Sequence, residues 1–183
     1  MKRFLLIFGV IFQSISLLAS DNYRVYDVRS GLSENSVLDM FQDSHGYMWF
    51  ATKDGLNRFN GYTFDVFRKN INGVNLKIDA VLSHCDGQRI WVGSDYKLLL
   101  FDPCDESFEE IPSLDSIRGV QSLCYDDTSL WVASESGVWR WDGVAEPKGY
   151  ELEEASLDCF ARVVTKDAGG NLWVSLGQNI YRY

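Results

Sequence analysis

The side chains that most often act as metal ligands or nucleophiles are few in this sequence. Its 183 residues include two histidines and four cysteines. His45 lies in an Asp-Ser-His-Gly stretch that is typical of a turn, and neither His45 nor His84 has a partner at a spacing typical of a metal site. The sequence contains no phosphate-binding loop, nucleophile elbow or His-Glu-x-x-His motif. We therefore predict no metal site and no cofactor.

The acidic residues do not form a catalytic pair either. Glu109-Glu110 and Glu153-Glu154 are neighbours in sequence, so on a strand the two side chains of each pair would face opposite sides of the sheet. Asp43 and Asp167 each begin an Asp-x-x-Gly-x-x-Trp stretch, which is wider than the aspartate box of sialidase propellers. We interpret both as turn formers that accept nearby backbone N–H groups, and we predict no catalytic residue.

The most regular feature is a repeated tryptophan. Trp49, Trp91, Trp131 and Trp173 are separated by 42, 40 and 42 residues. A period of about 40–45 residues is typical of the four-stranded blade of a β-propeller. So large a side chain, repeated once in each unit, is expected to be buried between neighbouring blades.

The first repeat contains the elements of such a blade. Short strand-forming runs, Val37–Phe41, Met48–Ala51, Leu56–Phe59 and Thr63–Phe67, are separated by Asp-Ser-His-Gly, Lys-Asp-Gly and Asn-Gly. These are hairpin signals, because Gly and Asn accept positive φ at little cost. The pattern predicts an antiparallel meander without helices.

The chain divides into an N-terminal targeting segment and four such units. Lys2 and Arg3 precede a mostly apolar run, Phe4–Leu18, that is shorter than the roughly 20 residues that span a bilayer. This favours a secretory signal over a membrane anchor, although an uncleaved anchor stays open. The predicted divisions are 1–20 (signal), 21–35 (N-terminal strand and lead-in), 36–68 (blade 1), 76–111 (blade 2), 117–152 (blade 3) and 157–183 (blade 4, one strand short).

Charge excludes two classes of partner. Without Lys2 and Arg3 the chain carries 15 basic and 26 acidic residues. Nucleic acids and anionic membranes require clustered basic side chains. We therefore predict neither as a partner, and we interpret the acidic excess as a solvated surface.

The stretch GLSENSVLDMFQDSHGYMWFATKDGLNRFNG resembles the two-component regulator propeller repeat. The matching positions of this first copy are Gly31, Leu32, Ser33, Asp43, Gly46, Trp49, Thr52, Gly55, Leu56, Asn60 and Gly61. The later copies keep Trp91, Gly93 and Asp102, then Trp131, Gly137, Asp142 and Gly143, then Asp167, Gly170 and Trp173.

This resemblance implies an all-β fold of about four propeller blades, arranged as an incomplete open arc of a larger propeller. It also implies a non-catalytic sensor fragment, exported to the periplasm as the input region of a hybrid two-component histidine kinase that responds to oligosaccharides. Two alternatives stay open, namely a stand-alone scaffold or protein-binding propeller of the envelope, and a propeller enzyme of the lyase or glycosidase type.

Further expectations follow from the blade assignment. The candidates for a sugar-stacking platform are five aromatic residues, Tyr47, Tyr62, Tyr96, Trp139 and Trp141. Blade cores also contain aromatic residues, so no ligand residue is assigned.

The number of cysteines is even, as disulfide pairing would require. Three of them fall on innermost strands, Cys85, Cys124 and Cys159, and the fourth is Cys104. Buried thiols are favoured over disulfides at such positions.

The ends of the arc are predicted to stay apart. The segment Tyr23–Val28 alternates like a strand, and we expect it not to be hydrogen-bonded to Asn179–Tyr183. Blades 1 and 4 would then each expose an apolar face, and the chain would self-associate through these faces.

Overall fold

The fold consists almost entirely of strands. The computed structural model describes residues 23–71, 73–83, 87–126, 128–150 and 160–183; the predicted signal segment, 1–20, lies outside them. The described residues form four antiparallel sheets of three or four strands, a two-stranded ribbon and two short 3-10 helices, Val28–Ser30 and Pro112–Leu114. Within these ranges no helix has the length and hydropathy needed to cross a membrane. The predicted all-β class is confirmed.

Each large sheet is one blade, with its strands hydrogen-bonded in chain order. Blade 1 contains β1 (Val37–Gln42), β2 (Met48–Thr52), β3 (Gly55–Phe59) and β4 (Phe64–Phe67). The ribbon that follows consists of β5 (Asn70–Ile71) and β6 (Val74–Asn75). Blade 2 contains β7 (Ile78–Ser83), β8 (Ile90–Ser94), β9 (Leu98–Asp102) and β10 (Ser107–Glu110). Blade 3 contains β11 (Val120–Tyr125), β12 (Leu130–Ser134), β13 (Gly137–Trp141) and β14 (Lys148–Tyr150). Blade 4 contains β15 (Ala161–Lys166), β16 (Leu172–Leu176) and β17 (Asn179–Arg182).

The second turn of blade 1 depends on a glycine. Gly55 has a φ of +116°, and a Cβ atom at this position would lie 2.6 Å from the carbonyl oxygen of Phe67. Gly55 pairs with Thr52 across the turn, and the Thr52 hydroxyl donates to the Gly55 carbonyl oxygen. A side chain at residue 55 would therefore strain the turn that joins β2 to β3.

The four blades share one local irregularity. The register of the innermost strand shifts by one residue near its start in every blade, between Val37 and Asp39 and at the equivalent places in β7, β11 and β15. Such a bulge bends the strand and increases its twist. The repeats therefore agree in backbone detail as well as in strand order.

Consecutive blades pack through three hydrophobic clusters. The first joins blades 1 and 2, the second joins blades 2 and 3, and the third joins blades 3 and 4. The approach at the second interface is so close that a Cβ atom on Gly93 would lie 2.4 Å from the Val120 side chain. Among the described residues, no such cluster joins blade 4 to blade 1. The blades therefore form an open arc, as predicted.

A repeated aromatic contact marks each interface. The Trp ring on the second strand of one blade meets an aromatic ring on the third strand of the next blade, or just after it. The three pairs and their centroid distances are Trp49–Phe101 (5.9 Å), Trp91–Trp141 (5.7 Å) and Trp131–Tyr183 (5.6 Å). Two of the pairs are edge-to-face and the third, Trp131–Tyr183, is tilted. Because aromatic pairs add to the energy of burial, these contacts link the blades in a fixed direction along the chain.

The segment Tyr23–Val28 differs from its prediction, because it forms no strand. Asp27 instead accepts hydrogen bonds from the backbone and guanidinium of Arg29 and caps the 3-10 helix Val28–Ser30. The Tyr26 ring packs edge-on against Phe59, with centroids 4.8 Å apart. In the described ranges no backbone hydrogen bond joins residues 23–28 to residues 179–183, so the two ends stay apart as expected.

The described cysteines are both free thiols. Cys104 is exposed in the turn between β9 and β10, and Cys124 is half-buried on the innermost strand β11. Burial raises the pKa of the Cys124 thiol, so this side chain remains an uncharged core group. Cys85 and Cys159 lie outside the described residues, and their redox state stays a prediction.

Candidate ligand-binding cleft

The repeated aspartates hold the repeated tryptophans. Asp43 lies in the first turn of blade 1, where its Oδ1 atom accepts the backbone N–H groups of His45 (2.9 Å) and Tyr47 (3.0 Å). Its Oδ2 atom accepts the indole N–H of Trp49 at 2.7 Å. One carboxylate therefore shapes the turn and satisfies the indole N–H of a buried ring, which would be costly to leave unpaired.

Blades 3 and 4 repeat this arrangement. Asp126 accepts the indole N–H of Trp131 at 2.7 Å, and Asp167 accepts that of Trp173 at 2.8 Å. The sequence motif did not identify Asp126, because it lies five residues before its tryptophan instead of six and its turn lacks the glycine. An acid five or six residues before each repeated Trp would have been the signal.

Hydrogen bonds keep the carboxylates of Asp126 and Asp167 ionised. Burial alone would raise the pKa of Asp126, but the bonds donated by Trp131, Thr128 and Ser129 outweigh burial and lower the pKa to about 2. The indole of Trp173 and the side chain of Asn171 likewise hold the pKa of Asp167 well below its usual range. These groups act as fixed acceptors, and their low pKa values do not suit general acid catalysis.

The other predicted motif residues have structural roles in turns and in the core. Gly46, Gly61, Gly143 and Gly170 lie in turns with positive φ, as do Gly55 and Gly137. Leu56 is buried at the interface of blades 1 and 2. The Asp142 carboxylate accepts the backbone N–H groups of Val144 and Ala145 after β13. Of these residues, Asp142 and Gly143 lie together in the lining of one cleft, described next.

A cleft lies between blades 2 and 3, at the end of the blades that carries their first and third turns. It has a volume of about 800 Å³. Three aromatic residues line it, Trp91 from blade 2 and Tyr125 and Trp141 from blade 3. The charged residues of its lining are Arg89, Glu109, Asp126 and Asp142.

Hydrogen bonds fix the aromatic walls. The indole N–H of Trp91 donates to the hydroxyl of Tyr125 at 2.6 Å, across the interface between the blades. The indole N–H of Trp141 donates to the carbonyl oxygen of Ala145 at 2.8 Å, and the rings of Trp91 and Trp141 meet edge-to-face. The cleft is therefore a preformed aromatic site, which lowers the entropic cost of binding.

The charged groups of the cleft are engaged with neighbouring groups. Asp126 and Asp142 are occupied by turn hydrogen bonds, and the backbone bonds from Ala145 and Val144 lower the pKa of Asp142. Glu109 lies 3.9 Å from the guanidinium of Arg89 at the rim. In the part of the chain that the structure describes, no group of three or more metal-ligating side chains occurs.

The candidate aromatics named from the sequence are separated by the fold. Trp141 lines the large cleft, and Tyr47 lines a smaller one of about 380 Å³ with Trp49 and Arg58. Tyr62 and Tyr96 are exposed on turns, and the indole of Trp139 donates to Ser134. Tyr125 was not among these candidates, since its place in the cleft depends on the packing of two blades.

Comparison with known proteins gives a family match and related folds. Residues 31–54 match the family model of the two component regulator propeller. The chain is 41% identical over 70 residues to Histidine kinase P4 of Formosa agariphila, a match that covers 35% of this chain and 5% of the kinase.

Among solved structures, the chain resembles the extracellular domain of BT4673 from B. thetaiotaomicron, a protein assigned to the hybrid two component systems. The TM-score is 0.71 with 17% sequence identity, over 80% of this chain and 20% of that one. Virginiamycin B lyase from Staphylococcus aureus also matches, with a TM-score of 0.60 and 14% identity, over 80% of this chain and 55% of the lyase. At these identities the likeness shows the fold alone.

The match at residues 31–54 includes the turn in which Asp43 holds Trp49, and it agrees with the resemblance seen in the sequence. The chain spans only a small part of the histidine kinase and of the BT4673 domain. The first blade of this protein therefore carries a two-component regulator propeller repeat.

Proposed function

We propose that this chain is a non-catalytic, ligand-binding part of the sensor propeller of an exported hybrid two-component histidine kinase. Its similarity to Histidine kinase P4 and the propeller family match support the sensor assignment. The likeness of the fold to the extracellular domain of BT4673 supports export. Small-molecule sites are concave, with apolar walls and a few polar groups, and the cleft between blades 2 and 3 has this composition.

We further propose that the ligand is a neutral oligosaccharide. The observation that carries this proposal is the pair of partly exposed rings of Tyr125 and Trp141, which the fully buried Trp91 supports through a hydrogen bond and an edge-to-face contact. Aromatic faces pack against the C–H faces of sugar rings, and the surrounding polar groups would bind hydroxyl groups. Glu109, Asp126 and Asp142 outnumber Arg89 in the lining, so the local charge disfavours sugars that carry carboxylates.

The test is a titration of the purified protein with matched panels of neutral and uronic-acid oligosaccharides, followed by intrinsic tryptophan fluorescence and calorimetry. We expect saturable binding to members of the neutral panel. Trp141→Ala should weaken it at least about tenfold, because a buried aromatic anchor dominates such sites. Tyr62→Ala is the matched control, since this ring is exposed on a turn away from the cleft.

Two results would contradict the proposal. Equal affinities of the Trp141→Ala variant and the unchanged protein would show that the cleft is not the binding site. Release of reducing ends, or a β-elimination product, from the same panel would show turnover. The protein would then be a propeller enzyme and not a binding module.

A further inference from the structure

The cleft between blades 2 and 3 has an equivalent at the preceding interface, between blades 1 and 2. In blade 1 the repeated Trp49 pairs across the sheet with Arg58, and in blade 2 Trp91 pairs with Leu100. Arg58 lines the smaller cleft, of about 380 Å³, and Leu100 lines the larger one. The two clefts therefore occupy the same place in successive repeats.

The opposite walls of the two clefts also correspond. Gln88 and Thr128 each lie three residues before a repeated tryptophan, and they line the smaller and the larger cleft respectively. Cys104 and Val144 each lie three residues after the aromatic residue near the end of a third strand, and they line the same two clefts. The smaller cleft is thus a second copy of the candidate site, built from the preceding pair of blades.

The accessible aromatic ring of the smaller cleft belongs to Tyr47. This side chain is 37% exposed, whereas Trp49 is 1% exposed. The guanidinium of Arg58 lies over the Tyr47 ring, 5.3 Å from its centroid, and Asp65 accepts two hydrogen bonds from this guanidinium. The Asp43 carboxylate accepts the backbone N–H of Tyr47 at 3.0 Å. The ring is therefore held in place before a ligand arrives, which lowers the entropic cost of binding.

The lining of the smaller cleft favours a neutral ligand rich in hydroxyl groups. The carboxylate of Asp43 is occupied by the bonds of its turn, and the guanidinium of Arg58 is paired with Asp65. The polar side chains of His45 and Gln88 also line the cleft. A neutral imidazole and an amide can each donate and accept hydrogen bonds, as sugar hydroxyl groups do. The smaller cleft therefore suits the same class of ligand as the larger one.

The first turn of blade 2 separates the two clefts. Gln88 lines the smaller cleft and the next residue, Arg89, lines the larger one, and consecutive Cα atoms are about 3.8 Å apart. The hydroxyl of Ser44 donates to the carbonyl oxygen of Gly87 at 3.3 Å, which links the first turns of blades 1 and 2. One extended ligand can therefore reach both clefts without any movement of the blades.

We propose that the cleft between blades 1 and 2 is a second sugar subsite, with Tyr47 as its aromatic contact, and that one neutral oligosaccharide occupies both clefts across the first turn of blade 2. This inference rests on the proposed function, and it adds selection by length to selection by charge. A short saccharide fills one cleft, whereas a longer one fills both. Linked contacts strengthen one another, because the second contact forms within a complex that already exists.

The first test measures the binding of a length series of the neutral saccharide that binds most tightly, by tryptophan fluorescence and calorimetry. Affinity should rise at least about tenfold from the shortest member that binds to members long enough for both clefts. Tyr47→Ala should remove this gain, and Tyr47→Phe, which keeps the ring, should retain it. Tyr96→Ala is the matched control, because Tyr96 is exposed on the second turn of blade 2, at the opposite end of that blade.

The second test uses Cys104 to report occupancy of the smaller cleft. Its thiol is free, exposed and part of the lining, so a maleimide should label it. Mass spectrometry of the peptide that contains Cys104 gives the rate. A long saccharide, at a concentration well above its Kd, should slow this labelling at least about fivefold, because a ligand in such a cleft shields most of the lining.

Three results would each overturn the second subsite: affinity that does not change with length, a gain that survives Tyr47→Ala, or unchanged labelling of Cys104 in the saturated protein. In those cases binding that Trp141→Ala weakens would leave the proposed function standing. A protein that binds no neutral saccharide of any length would overturn both proposals. Circular dichroism of each variant verifies the fold.

Discussion

At the scale of single residues, Asp79 has the most unusual carboxylate. It follows Lys77 near the start of the innermost strand of blade 2, and its side chain is 8% exposed. Lys77 donates to its Oδ1 atom at 2.7 Å, whereas its Oδ2 atom has no partner. Burial raises the pKa of Asp79 to about 6, and the nearby Asp95 adds to the rise, while Lys77 opposes it.

This shift predicts a pH dependence of folding. Because the pKa is higher in the folded state than in the unfolded chain, the contribution of Asp79 to stability is complete below about pH 4 and is lost as pH rises through about 6. Lowering the pH from 7.5 to 5 should therefore raise the free energy of unfolding by about 1 kcal/mol through this residue.

Urea denaturation at the two pH values measures the effect. Asp79→Asn should remove the increase, and Asp105→Asn, on an exposed turn, should keep it. An identical pH dependence in the unchanged protein and in Asp79→Asn would contradict the assignment.

A second residue-scale prediction concerns the bond between Asp126 and Trp131. Asp126→Ala leaves the indole N–H of a buried tryptophan without an acceptor and should cost about 1–3 kcal/mol. Asp142→Ala removes a turn carboxylate that also accepts two backbone N–H groups but holds no indole, so it should cost less. Thermal and chemical denaturation compare the two, and equal losses would show that the indole bond contributes nothing.

At the scale of the secondary-structure element, two equivalent turns allow the cost of backbone strain to be distinguished from the cost of a steric clash. Gly55 and Gly137 both have φ near +115°, at the same turn of blades 1 and 3. A Cβ atom at Gly55 meets a carbonyl oxygen at 2.6 Å, but one at Gly137 meets nothing within 4 Å. Gly137→Ala should cost about 1–2 kcal/mol from strain alone, and Gly55→Ala at least about 2 kcal/mol more.

Denaturation midpoints of the two alanine variants provide the measurement. A smaller loss for Gly55→Ala than for Gly137→Ala would mean that the backbone at Phe67 moves away freely, and the tight turn described here would be wrong.

The strands and turns were the features best predicted from the sequence. Glycine and asparagine at the turns, with short apolar runs between them, defined the strands of blade 1. The lead-in was mistaken for a strand, because Tyr23–Val28 alternates in hydropathy while the bonds of Asp27 to Arg29 favour a 3-10 turn. Local side-chain bonds of this kind override a short periodic pattern.

The cleft was harder to foresee than the strands. Its wall depends on Trp91 and Tyr125, which are 34 residues apart and belong to different blades. A hydrogen bond of this kind arises from packing between blades and leaves no periodic signal in the sequence. Trp141, by contrast, was named as a candidate because it was one of the aromatic residues expected to be exposed.

At the scale of the whole molecule, the open arc predicts unequal local stability. Blades 2 and 3 are packed on both sides, whereas blade 4 has a described neighbour on one side only. In such arrays stability is approximately a sum of units and their interfaces. Blade 4 should therefore open without unfolding the rest of the chain.

Native-state hydrogen exchange at dilute concentration detects this opening. Amides of β16 and β17 should exchange at least about tenfold faster than those of β8 and β9. Equal protection in blades 2 and 4 would mean that the arc unfolds as one cooperative unit.

The direction of the aromatic contacts has an evolutionary consequence. Every blade with a neighbour on each side gives a tryptophan to one and receives a tryptophan from the other. A gene segment that encodes one repeat of 40–42 residues therefore carries both halves of the contact. Duplication or deletion of such a segment changes the number of blades but leaves matching surfaces at the new junction. Proteins built from this unit can change length by whole repeats without the invention of a new interface.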